Sequence, residues 1–277
     1  MTTAIEIVQN LAPSANKIYR EAFENGGALL DQYGINTDLR LAHFMAQSFH
    51  ETAYFTVLTE SGNYREKGLA RMWDGGNWHR YFDSRADCLA MADQCRIDKG
   101  EALFNRVYAR KTLGNVNPGD GWKYRGRGII QTTGRYAYRK YGRTFRVPFE
   151  DQPELVITAE HALKPALAEW ADGNLNAAAD QNDIEVITKT INGGLVGLPE
   201  RRAAFARVWT FVAKGAAIED SIEYRVQVAL NAAGFGCGKP DGVVGPNTRR
   251  AILRFCAKRG LPPSAYISHA LVNALQI

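Results

Sequence analysis

The sequence predicts an all-α protein, mainly helical with at most a small β element, followed by a small three-helix C-terminal domain. Three observations predict it. Apolar residues recur at three- and four-residue spacing, strict apolar–polar alternation is rare, and glycine-bearing loops separate the periodic runs. The 277 residues are 45% apolar and 23% charged, enough for one large core or a medium core with a satellite. That composition excludes disorder, collagen and coiled coil.

The elements follow in order. Thr37 caps a helix whose residues Leu41, Phe44, Met45, Ser48 and Phe49 fall on one side and which runs to His50-Glu51. Tyr54 to Leu58 is β-branched and aromatic and reads as a short extended stretch, leading to Glu60 and a turn at Ser61-Gly62-Asn63. Further helices are expected at 86–95, 99–108, 154–170 with a kink at Pro165, and 183–191. Lys214 to Ile218 carries no periodic signal, so the domains are expected to span 1–215 and 216–277. Within the second, Ile222, Val226 and Leu230, then Ala251, Ile252 and Phe255, then Ile267, Leu271 and Leu275 mark three short helices. The loop 234–246 between the first two is rich in glycine and proline.

The 34 basic and 29 acidic residues leave a net charge of +5, a weak attraction to polyanions that does not choose among nucleic acid, anionic lipid and an acidic wall polymer. No run approaches the roughly 18 apolar residues of a membrane span, and the N-terminus lacks a basic segment followed by a long apolar one. A soluble protein made in the cytoplasm, without membrane insertion, is expected. The four cysteines lack a C-x-x-C pair; Cys88 and Cys95 would sit about 10 Å apart on a helix, too far for a bridge, and all four read as free thiols, mostly in the core.

Glu51 and Glu60 stand nine residues apart with a change of direction between them. In one unbroken helix they would be displaced by about 13 Å, but a helix turning into an extended stretch can bring the second back across a cleft. Paired carboxylates suit glycoside hydrolysis, one giving a proton to the leaving oxygen and the other working on water or on the sugar. Spacing alone leaves the plainer reading, two solvated surface carboxylates, open. Tyr124 to Arg135 combines two glycines with Arg125, Arg127, Gln131, Thr132 and Thr133, and Ile191-Asn192-Gly193-Gly194 again sets an amide beside approachable backbone. Each by itself could be loop structure.

Taken together, His50-Glu51-Thr52, Glu60 before Asn63-Tyr64, YRGRGIIQTTGRYAY at 124–138, Leu175 to Asp180, INGG at 191–194 and Glu200-Arg201-Arg202 resemble glycoside hydrolase family 19, in the form found in bacteriophage endolysins. The resemblance covers roughly residues 37 to 210. VQVALNAAGFGCGKPDGVVGPNTRRAILRF at 226–255 is similar to the three-helix peptidoglycan-binding domain. The resemblance implies a lysozyme-like fold of two helical lobes flanking a cleft. It implies Glu51 as general acid, Glu60 as general base in an inverting displacement, and Thr133 as the hydroxyl that helps hold the attacking water. It further implies substrate contacts at Gln131, Asn192, Arg125, Arg127 and Tyr124. Arg125 or Arg127 near Glu60 would keep that carboxyl ionised, and burial beside Phe49, Tyr54 or Phe55 would keep Glu51 protonated. Family members usually have Asn where this chain has Ala137, so one sugar or water contact is missing. Asp241 could bind a stem-peptide amine or simply form the Asp-Gly turn, and Trp73 or Trp78 could line a sugar wall or belong to the core.

The implied function is hydrolysis of the β-1,4 glycan of peptidoglycan by a phage endolysin that lyses its host after release onto the wall. A chitinase of the same family and a non-catalytic wall-binding protein are the alternatives. The five histidines show no H-E-x-x-H, which argues against a zinc amidase, and Arg249, Arg250, Arg254, Lys258 and Arg259 form no known nucleic-acid motif. No metal or cofactor is needed for this reaction, and a monomer with peptidoglycan as its partner is expected.

Overall fold

The computed structural model describes residues 2–213 and 221–277. The expected boundary between 215 and 216 lies outside the described residues. The architecture is helical, as the periodicity predicts, and the described β pairing is two isolated bridges, Thr59 with Arg127 and Arg127 with Thr132. No described helix is long and apolar enough to cross a membrane.

The chain forms two compact units. One comprises the N-terminal residues to Pro13, Gly26–His50 and Glu169–Ile277; the other comprises Ser14–Asn25 and Glu51–Ala168. The first unit gathers the helices Ile184–Asn192 and Leu198–Val212 with most of Asp38–Glu51, which Thr37 starts by accepting from the Arg40 amide at 3.2 Å. Two of its buried polar side chains find partners within the unit. The Arg201 guanidinium donates to Gln47 Oε1, and His43 Nε2 meets Asn182 Oδ1 at 2.8 Å while the ring stacks on Phe205. Burial lowers the His43 pKa to about 4, so the ring is neutral and structural.

The C-terminal segment, part of the same unit, folds as Ile222–Ala232, Pro246–Arg259 and His269–Leu275. Its core is Val226, Leu230, Cys237, Ala251, Ile252, Phe255, Cys256 and Leu271, six of the nine positions that the apolar repeats mark plus two cysteines, with Ile222, Ile267 and Leu275 packed against it. All four cysteines are free and buried.

In the second unit, the helices Glu66–Asp74, Arg85–Asp98 and Glu101–Val107 close over Leu69, Trp78, Phe82, Cys88, Cys95, Leu103 and Phe104. Trp78 is therefore core, and Trp73 packs on the His79 ring with centroids 4.4 Å apart. Gly62 and Gly100 touch backbone to backbone: a Cβ on Gly100, whose φ is +91°, would lie 2.3 Å from the Gly62 carbonyl oxygen.

Two local expectations change. Residues 154–170 do not form one kinked helix: a 3₁₀ turn spans Pro153–Ile157 and a separate helix spans Lys164–Asp172. Pro165 lies in that helix's first turn, where its missing N–H costs nothing, so it begins a helix and does not bend one. Nor is Tyr54–Leu58 extended. Ala53, Tyr54 and Phe55 all adopt left-handed backbone (φ 47°, 59° and 62°), and the Thr52 carbonyl accepts from both Thr56 N and Val57 N. Thr52 Oγ1 also accepts from the Phe55 amide at 2.8 Å. Three left-handed non-glycine residues cost on the order of 1 kcal/mol each. The turn sends the fully buried Phe55 ring between Tyr19 and Phe23, with centroids at 5.3 and 4.9 Å, and this burial overrides the β propensity of the string. Phe55→Ala is expected to destabilise the protein by about 3–5 kcal/mol, read as a lower urea midpoint with little change in slope.

Candidate active site

The YRGRG string forms the centre of the site because its glycines let the backbone lie against neighbouring chain. Glu60 N donates to Gly126 O at 2.8 Å and Gly128 N to Leu58 O at 2.8 Å, pairing 58–60 with 126–128. Arg127 and Thr132 exchange two further backbone hydrogen bonds, at 3.2 and 2.8 Å, closing a tight hairpin through left-handed Gly128 and Gln131. The small β element is thus these few residues.

Pairing sets the Glu60 carboxyl over Gly126. Glu60 Oε2 accepts from the Gly126 amide at 3.3 Å, and the Tyr108 hydroxyl donates to Oε1 at 2.8 Å and Oε2 at 2.9 Å. A Cβ on Gly126 would lie 2.9 Å from Gln131 Oε1, 3.2 Å from Glu60 Oε2 and 3.3 Å from Thr133 Oγ1, so three acceptor oxygens converge on the space above this glycine. Gly126 is absent from the positive-φ residues, so what its missing side chain provides is room and not conformational freedom. Thr133 spends its hydroxyl proton on the Gln131 carbonyl at 2.7 Å and so faces any further partner as an acceptor. Gln131 Nε2 donates to Gly128 O at 2.9 Å, which turns Oε1 toward the site.

The electrostatics differ from expectation. Burial raises the Glu60 carboxyl above its ordinary range; the Tyr108 hydroxyl, the Gly126 amide and the charge of Arg125 act in the opposite direction without reversing it. Arg125 lies flat over the Trp122 ring, 3.6 Å from its centroid, and donates to Trp122 O at 2.8 Å. Arg127 does not face Glu60 at all. It is 1% exposed and donates to the Lys123 and Arg125 carbonyls, the Tyr138 hydroxyl and Glu154. A buried guanidinium surrounded by acceptors holds the loop together, and substrate cannot reach it.

Tyr124 is likewise corrected from substrate contact to framework: its ring is fully buried against Tyr138, and its hydroxyl donates to Glu150 O at 2.9 Å. The Asp241 carboxylate folds back on its own loop, Oδ1 accepting from Gln227 Nε2 at 2.8 Å and Val243 N at 2.9 Å. These hydrogen bonds make Asp241 a turn keystone, and its Asp-Gly pair is turn chemistry. Asn192, in the other unit, is exposed at the end of Ile184–Asn192, and its amide donates to Val196 O at 3.2 Å. Glu51 is half-buried at the end of Asp38–Glu51, followed directly by the left-handed turn. Ala137 packs against the Tyr124–Tyr138 core.

Glu60, Gln131, Thr133 and Arg125 are therefore gathered in one place, whereas Tyr124 and Arg127 lie behind it. Tyr108 and the space above Gly126 escape sequence reasoning. Tyr108 stands 48 residues from Glu60 in a segment whose aromatics read as core, and only folding brings it to the carboxylate. Because the folded-state pKa of Glu60 is raised, its contribution to stability is fully present below the ordinary glutamate pKa and is lost as pH rises through the raised one. Glu60→Gln is expected to raise Tm at pH 7, the gain shrinking toward pH 4, by calorimetry at both pH values.

A family described as "Putative peptidoglycan binding domain" matches residues 224–275. A Haemophilus influenzae protein, described as glycosyl hydrolase family 19 domain-containing, is 33% identical over 192 residues, covering 67% of this chain and 88% of that protein. Among solved structures, chitinase C from Streptomyces griseus is 17% identical with a TM-score of 0.49, over 77% of this chain and 78% of its own. A bacterial family 19 chitinase is 19% identical with a TM-score of 0.47, over 76% and 94%. With a relative of this identity and coverage, the chain belongs to glycosyl hydrolase family 19 and is a glycoside hydrolase carrying a C-terminal peptidoglycan-binding domain.

Proposed function

We propose that this protein is a phage endolysin that hydrolyses the β-1,4 glycan of bacterial peptidoglycan by an inverting single displacement. The carrying observation is the convergence of Glu60 Oε2, Thr133 Oγ1 and Gln131 Oε1 above Gly126, in a family 19 chain that also bears a peptidoglycan-binding domain. That domain favours peptidoglycan over chitin as the polymer cut, since it would hold the enzyme on the wall. The protein is made in the host cytoplasm and acts on the wall after release.

The chemistry follows from donor and acceptor counts. A water above Gly126 gives one hydrogen to Glu60 and the other to Thr133 Oγ1, whose own proton is already committed to the Gln131 carbonyl. Both hydrogens being held, a water lone pair is left for the anomeric carbon. Glu60 takes the proton as the C–O bond forms, and Glu51 protonates the departing glycan oxygen as the old bond breaks. A base whose pKa is raised by burial is a stronger proton acceptor than a solvated glutamate.

Digestion of purified peptidoglycan and chitin tests the reading. New reducing ends of the α anomer from peptidoglycan are expected, with Glu51→Gln and Glu60→Gln each lowering turnover by at least about a hundredfold. Chitin cut in preference would make this a chitinase. Free amino groups without new reducing sugar, or full activity in either variant, would overturn the proposal. Gly126→Ala is expected to keep its fold, because its backbone conformation is open to alanine, yet to lose most activity as the methyl enters the water's space. Circular dichroism alongside the reducing-sugar assay separates the two effects.

A further inference from the structure

The Glu60 carboxylate is approached by one residue that the hydrolase motifs do not include, Tyr108. Tyr108 follows the helix Glu101–Val107, and its ring stacks on Phe104 with centroids 5.4 Å apart and planes 16° from parallel. Its main-chain carbonyl accepts from Asn115 Nδ2 at 2.9 Å, and its amide donates to Phe104 O at 2.9 Å. Ring and backbone are thus anchored before the hydroxyl is considered. That hydroxyl reaches both oxygens of Glu60 almost equally, at 2.8 and 2.9 Å.

We propose that Tyr108 is the positioning residue of the general base: one phenolic proton, shared between Glu60 Oε1 and Oε2, sets the carboxylate plane over Gly126 and favours its ionised form. The proposal rests on the reading of Glu60 as base. A donor astride both oxygens resists rotation of the carboxylate about its last side-chain bond, which a single hydrogen bond to one oxygen would not. The Gly126 amide, on Oε2 only, marks the second point of the plane. The groups facing Glu60 are Tyr108 after its helix, Tyr64 from the segment beyond the Ser61–Asn63 turn, and Arg125 from the central loop. Arg110 acts on Tyr108 in turn. Tyr108 is itself held in its neutral, donating form, because burial and the neighbouring carboxylate both raise its pKa. It cannot serve as the base, and the proton it shares stays on its own oxygen.

The test compares wild type, Tyr108→Phe and Glu60→Gln. Phenylalanine keeps the stack on Phe104 and removes only the shared proton. Two readouts are taken: the acid limb of kcat/KM for peptidoglycan, and the titration midpoint of the Glu60 carboxyl by carbon-13 NMR, assigned as the signal missing in Glu60→Gln. Tyr108→Phe is expected to move both upward by about one pH unit, a tenfold change in proton affinity, because a hydrogen bond favouring the charged form is lost. A residue that only filled space would lower the plateau or Tm and leave both midpoints in place; an unmoved or lowered midpoint overturns the proposal. Should the phenylalanine variant fail to fold, 3-fluorotyrosine at position 108, a more acidic donor, is expected to move the midpoint downward, and no movement again overturns it. Failure of the base assignment is separate: Glu60→Gln would then keep its turnover, whatever the Tyr108 variants do to the midpoint.

Discussion

Two backbone hydrogen bonds, from Glu60 N to Gly126 O and from Gly128 N to Leu58 O, join residues 66 and 70 positions apart. Each contributes only about 1 kcal/mol in net terms, but their geometry is strict. They lock the chain leaving the left-handed turn at Ala53–Phe55 against the glycine-bearing loop, and so set where a carboxylate, a hydroxyl and an amide oxygen meet. Phe55 behind this pairing and Arg127 within it are the two anchors: one fills the core between Tyr19 and Phe23, the other ties four acceptor groups together from inside the loop. Remove either anchor and the register of Glu60 over Gly126 has no support.

Burying a carboxylate at this point costs stability, and the site offsets only part of that cost. Tyr108, Gly126 N and Arg125 all favour the ionised form, yet desolvation prevails. The result suits a proton acceptor, since the carboxylate is more basic than a solvated glutamate. A residue chosen for stability alone would be uncharged here, which is the usual trade between a well-packed fold and a working site. The same economy governs Thr133, whose hydroxyl is forced into the acceptor role by a carbonyl two residues away.

The C-terminal domain follows a different logic. Its three short helices share one small core, and Asp241 and Gln227 knit the loop between the first two by exchanging backbone and side-chain hydrogen bonds. Trp209 of the helix Leu198–Val212 donates to the Asp241 carbonyl at 2.8 Å, and Arg249 donates to Gln181 Oε1 at 3.0 Å, so this domain packs on the rest of its compact unit through polar contacts. A helical unit this small gains from such support, since its own core removes little apolar surface from water.

What the sequence by itself determined was the helical class, the three C-terminal helices and the strings that hold Glu60, Gln131 and Thr133, because periodic apolar spacing and short motif strings are local properties of the chain. Tertiary structure decided the rest. Tyr54–Leu58 has the composition of a strand, but burial of one ring, Phe55, outweighs the local preference. Arg127 and Tyr124 look like ligand-binding residues in the string, yet the hairpin turns both inward, where carbonyls and the Glu154 carboxylate satisfy them. Tyr108 carries no motif at all, and its partner is 48 residues distant. Neither the direction a side chain takes from a turn nor the desolvation of a carboxylate is encoded within a window of neighbouring residues; both are set by what packs against them from elsewhere in the chain.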